Sequence, residues 1–176
     1  LYIMHMWDYQ TPIEETLEIL NDFIKEGKIK EIGISNCFAY QLAIANTIAK
    51  ERGLQGFVSV QGHYNLIFRE EEREMKRYCD EQNIVMTPYS ALASGRLAKH
   101  PGEISPRLQQ DTYAKGKYDA SSDLDLEIIQ RVEEIASKHQ VSMSEVSLSW
   151  LMSKVASPVV GATKLKHVDT AVLATE

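Results

Sequence analysis

The sequence predicts an α/β fold built on a parallel sheet, and two patterns carry that prediction. Five short apolar runs recur along the chain, each closing on polar residues: Tyr2-Ile3-Met4-His5, Ile32-Gly33-Ile34-Ser35-Asn36, Phe57-Val58-Ser59-Val60-Gln61, Ile84-Val85-Met86-Thr87-Pro88-Tyr89-Ser90 and Pro158-Val159-Val160-Gly161-Ala162-Thr163. Long stretches with apolar residues at helical spacing separate them. A strand buried on both faces reads as a near-continuous apolar run, and parallel strands need helical crossovers. The right-handed crossover rule then leaves few topologies open. At 176 residues, with 44% hydrophobic and 25% charged residues, the chain has the composition of one ordinary globular domain.

The elements follow in order. Thr11-Pro12-Ile13-Glu14-Glu15 reads as a helix start, with Thr11 as N-cap, Pro12 in the first position and acids in the first turn. Ile13, Leu17, Leu20 and Ile24 repeat at helical spacing, and Gly27 stops the helix. A second helix is expected over 39–52, with Leu42, Ala45, Ile48 and Ala49 on one face and Gly53 as its stop. A third, over 70–82, is highly charged and so exposed around most of its circumference. The rhythm breaks after Tyr89: residues 93–123 read as a long loop, punctuated by Ser94-Gly95, Pro101-Gly102 and Ser105-Pro106. A loop of that length is a lid, a binding loop or a disordered insert. Helices over 124–139 and 142–154 follow, the second with Ser142 and Glu145 as a capping box, and a last helix starts near Leu165.

Several function classes are excluded on composition. A net charge of −6 gives no general attraction to nucleic acid or to an anionic membrane. No apolar stretch approaches the length of a membrane span, and residues 1–10 do not read as a signal peptide. Cys37 and Cys79 are too few and too far apart for a disulfide framework or a metal knuckle, which points to reduced thiols and a cytoplasmic location. No metal site is expected, since His5 and His63 lack ligand spacing. Gly-x-Gly-x-x-Gly, P-loop and nucleophile-elbow motifs are all absent.

Ligands of parallel α/β sheets sit outside the carboxyl ends of the strands, where the polar residues of this chain fall. His5 ends the first run; a lone histidine is more often structural, but a strand end favours a site. Asp8 reads as a turn cap. Ser35, Asn36 and Gln61 either satisfy turn backbone or together offer amides and a hydroxyl to a neutral group such as a carboxamide. Tyr89 either packs or presents a flat stacking surface, and Ser90 follows it. Gly161, Thr163 and Lys164 ahead of a helix N-terminus make a weak phosphate signal.

Taken together and in this order, these segments resemble the aldo-keto reductases. Leu1-Tyr2-Ile3-Met4-His5-Met6-Trp7-Asp8 is similar to the family's fourth strand with its active-site histidine. Gly27 to Asn36, Gln61 to Leu66, Thr87 to Leu97 and Val159 to Lys164 resemble its later strand ends, with bacterial reductases related to potassium-channel β subunits as the nearest subgroup. The resemblance implies the C-terminal portion of a (β/α)8 TIM barrel, about five parallel strands with helices over 1–176, and a loop at about 93–123 that covers the cofactor. It further implies an NADP-dependent reduction of aldehydes or ketones. In that scheme His5 orients the small-molecule carbonyl substrate. Ser35, Asn36 and Gln61 hold the nicotinamide carboxamide, and Tyr89 stacks on the nicotinamide. Ser90, Leu92 and Arg96 lie along the pyrophosphate, and Gly161, Thr163, Lys164 and His167 approach the adenosine 2′-phosphate.

The family's catalytic Tyr, Asp and Lys belong to strands two and three, ahead of the segment that Leu1 resembles. The expectation is therefore that NADP(H) binds but these residues alone do not turn it over, and that exposed barrel edges invite self-association. Two rival readings remain at this point. One is an NADP-binding, redox-sensing regulatory subunit like the channel β subunits; the other is a complete, open, doubly wound ligand-binding domain.

Overall fold

The computed structural model describes residues 1–101, 103, 112–118 and 122–176. The chain divides into two compact units, residues 1–63 with 70–88, and residues 64–69 with 89–176.

The first unit holds a four-stranded parallel sheet in the order β1 (Tyr2–Met4), β2 (Ile32–Ser35), β3 (Ser59–Gln61), β4 (Val85–Met86). Its register pairs Met4 with Ile34, Ser35 with Gln61 and Val60 with Met86. The carboxyl ends of the first three strands therefore fall level. All of Ile32–Ser35 is buried, as expected for a central strand covered on both faces. Helices α1 (Ile13–Lys25), α2 (Ala39–Glu51) and α3 (Met75–Gln82) are the crossovers. Leu17 and Leu20 from α1, Leu42, Ala45 and Ala49 from α2, and Met75 and Cys79 from α3 are buried with Ile32, Ile34, Phe57, Val60, Ile84 and Met86.

Two asparagines do what a strand neighbour would otherwise do for the chain entering β3. Asn21 Oδ1 accepts from Gln55 N at 2.7 Å and its Nδ2 donates to Gln55 O at 3.0 Å. Asn46 repeats the clasp on Phe57, at 2.8 Å and 3.0 Å. Both lie on the crossover helices, so these helices set the height of β3.

Three expectations change here. Thr11 is not the cap of α1: Pro12 holds that position, while the Thr11 hydroxyl donates to Asp8 Oδ2 at 2.6 Å. Asp8 also accepts from Gln10 N at 2.8 Å, so it does cap its turn. The helix expected over 70–82 is broken into a 3-10 turn, Glu70–Glu72, and α3, because Glu74 leaves helical geometry with φ −137° and ψ −54°. The fifth apolar run, 158–163, forms no strand; Val159 is 44% exposed, and a strand exists only where a neighbour takes its ladder hydrogen bonds.

The second unit is helical: α4 (Thr112–Tyr118), α5 (Ser122–His139), α6 (Met143–Met152) and α7 (Leu165–Leu173), with a 3-10 turn at Ala93–Ala98. Ala93, Leu97, Tyr118, Ile129, Val132, Ala136 and Met143 form its core, with Leu66, Ile67 and Val146 against them. The Ser142–Glu145 capping box is formed, with Glu145 N donating to Ser142 Oγ and Ser142 N to Glu145 Oε2 at 2.8 Å. The stretch 93–123 is thus not all loop: Ala93, Leu97 and Tyr118 are core residues. The part of the expected covering loop at 102, 104–111 and 119–121 lies outside the described residues.

Candidate functional site

In the first unit one hydrogen-bond chain ties three strand ends together. Asn36 Nδ2 donates to His5 O at 3.2 Å, beyond β1, and to Ser35 Oγ at 3.0 Å, the end of β2. Ser35 Oγ donates to Gln61 O at 2.7 Å, the end of β3, and Asn36 N reaches the same carbonyl at 3.4 Å. Asn36 does this with φ 50°, a left-handed conformation that asparagine tolerates better than most residues. The structure thus brings His5, Ser35, Asn36 and Gln61 to one edge. The Gln61 side-chain amide makes no hydrogen bond among the described residues, so a donor and an acceptor stand ready there. That is the complement a carboxamide requires.

Behind this edge sits a group that sequence reasoning missed. A Cβ on Gly62 would stand 2.7 Å from Glu71 Oε1 and 3.0 Å from its Cδ, so the absence of a side chain at 62 makes room for the carboxyl. Burial pushes the Glu71 carboxyl up to about 7. Burial first, and the Glu71 charge second, push the Cys37 thiol up to about 12, and the same two causes lead at Cys79, also raised to about 12. Both thiols are therefore protonated and poorly nucleophilic at neutral pH.

In the second unit Tyr89, Ser90, Leu92 and Arg96 share one tight loop. Ser90, Ala93 and Ser94 all have positive φ, at 58°, 48° and 56°. Asn65, fully buried, holds the loop in place: its Nδ2 donates to Ser90 O at 2.9 Å and to the Tyr118 hydroxyl at 3.2 Å. Its Oδ1 accepts from Ile67 N at 3.0 Å and Phe68 N at 2.9 Å. Nothing in the sequence shows that Asn65 reaches Tyr118, 53 residues away. The Lys117 ammonium lies 4.5 Å from the centre of the Tyr89 ring, and the Arg96 guanidinium 5.1 Å from that of Tyr118.

The remaining site residues gather at the start of α7. Gly161, Thr163, Lys164 and His167 are all exposed, and Thr163 N donates to His167 Nδ1 at 3.3 Å. No side chain caps the α7 N-terminus, which begins beside Lys164. Among the described residues no group of three or more His, Cys, Asp or Glu could hold a metal ion, and no helix is long and apolar enough to cross a membrane.

A family model described as the Aldo/keto reductase family matches residues 1–176. The chain belongs to the aldo/keto reductase family. It is 42% identical over 172 residues to an aldo-keto reductase of Metarhizium robertsii, covering 97% of this chain and 46% of that protein. An aldo-keto reductase of Fusarium vanettenii is 39% identical over 175 residues, 99% of this chain and 47% of the relative. The versiconal hemiacetal acetate reductase of Aspergillus parasiticus is 37% identical over 173 residues, 96% of this chain and 50% of the relative. The chain thus spans about half the length of these relatives.

Proposed function

We propose that this chain is the cofactor-holding portion of an NADP-dependent aldo-keto reductase acting on small aldehydes or ketones, built as the C-terminal part of a (β/α)8 barrel. The observation that carries the reading is the hydrogen-bonded edge of His5, Ser35, Asn36 and Gln61, with an uncommitted amide at Gln61, in a chain of this family. Gln61, Ser35 and Asn36 receive the nicotinamide carboxamide, and Tyr89 receives the ring. Ser90, Leu92 and Arg96 serve the pyrophosphate. Gly161, Thr163, Lys164 and His167 serve the 2′-phosphate, where exposed N–H groups and a lysine suit an anion.

Bound, the dinucleotide supplies a hydride to the carbonyl carbon. His5 orients the carbonyl by a hydrogen bond to its oxygen. A proton donor is also required at that oxygen, and no residue of these 176 matches the family's catalytic tyrosine. We therefore expect the 176 residues by themselves to bind NADPH without oxidising it when a carbonyl compound is added. β1 and β4 are the outer strands of the four-stranded sheet, which favours self-association in this reading, and the compartment is the cytoplasm.

Titration of the 176-residue protein with NADPH and NADH tests the reading. NADPH is expected to bind more tightly. Lys164→Ala should weaken NADPH by about fivefold, the loss of one charge-assisted phosphate contact partly screened by solvent, and leave NADH unchanged. Absence of binding by either dinucleotide would overturn the proposal. Equal loss of both on Lys164→Ala would remove the 2′-phosphate assignment alone.

A further inference from the structure

Tyr89 carries a cation on one face. Lys117 Nζ stands 4.5 Å from the ring centre, within the range where an ammonium is attracted to an aromatic quadrupole. The placement is held from the next residue: Tyr118 is 1% exposed, is bonded by Asn65 at 3.2 Å and has the Arg96 guanidinium 5.1 Å above its ring. Lys117 cannot swing far while Tyr118 remains in the core. Burial also holds the Lys117 ammonium below the usual lysine range, a sign that water screens it incompletely.

A planar ring has two faces, and with Lys117 on one, a nicotinamide stacked on Tyr89 as proposed would lie on the other. The two redox states of that nicotinamide differ in charge: the oxidised ring is a pyridinium cation, and the reduced ring is neutral. We infer that Lys117 makes Tyr89 a redox-selective platform, disfavouring the oxidised dinucleotide relative to the reduced one. The inference rests on the proposed stacking of nicotinamide on Tyr89 and adds to it a residue that sets which redox form is preferred. Two effects act in the same direction. A ring already polarised towards one cation attracts a second less well, and the two charges repel across the ring. At a separation of about 8 Å and an effective dielectric constant between that of a protein surface and that of water, the repulsion amounts to roughly a threefold to tenfold difference in affinity.

The test is a pair of dissociation constants, for NADP+ and for NADPH, measured by calorimetry on the 176-residue protein, Lys117→Met and Lys117→Arg. Lys117→Met should tighten NADP+ by about threefold to tenfold and leave NADPH within about twofold. Lys117→Arg, which keeps the cation, should retain the wild-type ratio. Circular dichroism establishes that the variants are folded. A parallel change in both affinities would make Lys117 a general anion contact and overturn the inference, as would an unchanged ratio. If the wild type binds neither dinucleotide, the proposed function falls and takes this inference with it; if it binds both and the ratio is insensitive to residue 117, the inference alone falls.

Discussion

Replacing Asn65 by alanine should be among the most damaging single changes in the second unit. The side chain is fully buried and, among the described residues, makes four hydrogen bonds, two donated (Ser90 O, 2.9 Å; Tyr118 hydroxyl, 3.2 Å) and two accepted (Ile67 N, 3.0 Å; Phe68 N, 2.9 Å). Not all four partners are orphaned. Ser90 O still accepts from Ala93 N at 2.9 Å, and Phe68 N still reaches Asn65 O at 3.2 Å. Ile67 N loses its partner outright, and the Tyr118 hydroxyl loses Asn65 but keeps Ser90. At about 1 kcal/mol for each bond lost, more for a buried group left unpaired, and with compensation at two sites, Asn65→Ala should cost about 3 kcal/mol. The urea midpoint should then fall by about 1–2 M. Trp150 is a local probe, since its ring meets Tyr64 edge-on at 5.6 Å. The measurement is best made in a Trp7→Phe background, where fluorescence reports the second unit alone. Tyr118→Phe, which removes the hydroxyl and its bonds to Asn65 and Ser90 but leaves the Asn65 bonds to Ser90 O, Ile67 N and Phe68 N in place, should cost less, about 1–2 kcal/mol. Equal costs for the two variants, or less than about 1 kcal/mol for Asn65→Ala, would refute the view of Asn65 as the hub of this loop.

Two further changes probe the first unit. Gly33→Ala would bring a Cβ to 2.2 Å from Ser59 Oγ, 3.2 Å from Ser59 O and 3.4 Å from Ile3 Cγ1, so it should destabilise by about 1–3 kcal/mol. Ser59 Oγ is buried without a partner, so Ser59→Ala should be neutral or stabilising by up to about 1 kcal/mol, and in that background Gly33→Ala should cost measurably less. Equal cost in both backgrounds, read from denaturation midpoints, would mean that the clash is with backbone. Glu71→Gln tests the buried carboxyl. Its folded pKa, about 7, lies above the ordinary 4.5, so the folded state binds the proton more tightly. Its contribution to stability is then fully present below about 4.5 and lost as the pH rises through about 7. Discounted for partial exposure, the variant should gain about 2 kcal/mol on the wild type between mildly acidic and mildly alkaline buffer. Parallel stability–pH curves would contradict this.

The strands and helices of the first unit were legible because each is a local pattern. Leu17 and Leu20, or Leu42, Ala45 and Ala49, mark a buried helical stripe, and Ile32-Gly33-Ile34 marks a strand buried on both faces. The polar strand ends were legible for the same reason, since the carboxyl end of a parallel strand is a position in the sequence. What was not legible depends on distant pairing. Pro158-Val159-Val160 has the composition of a strand, but composition does not supply the neighbour that would make it one. Tyr118 lies in a stretch punctuated like a loop and is a core residue through Asn65, 53 positions away. Glu71 sits in an acidic run that reads as a solvated face, until Gly62 leaves space for one member of it to turn inward.

Backbone conformation sharpens this last distinction. Six non-glycine residues among those described have positive φ: Asn36, Asn83, Ser90, Ala93, Ser94 and Gln140. Asn83 and Gln140 follow the ends of α3 and α5, where a left-handed residue commonly terminates a helix. The other four fall at the end of β2 and in the loop after β4, and two of them, Asn36 and Ser90, are among the residues proposed to meet the dinucleotide. Serine and alanine in that region each cost roughly 1–2 kcal/mol, which surrounding contacts must offset. For Asn36 those contacts are the bonds to His5 O and Ser35 Oγ; for Ser90 they are Asn65 and Ala93 N. Ser147 Oγ holds the far side of the second loop through Leu97 O at 3.0 Å. Among the described residues the strain and the contacts that oppose it thus fall at the end of β2 and in the loop after β4, and a loop held against its own preference presents its side chains to a ligand without first having to be ordered.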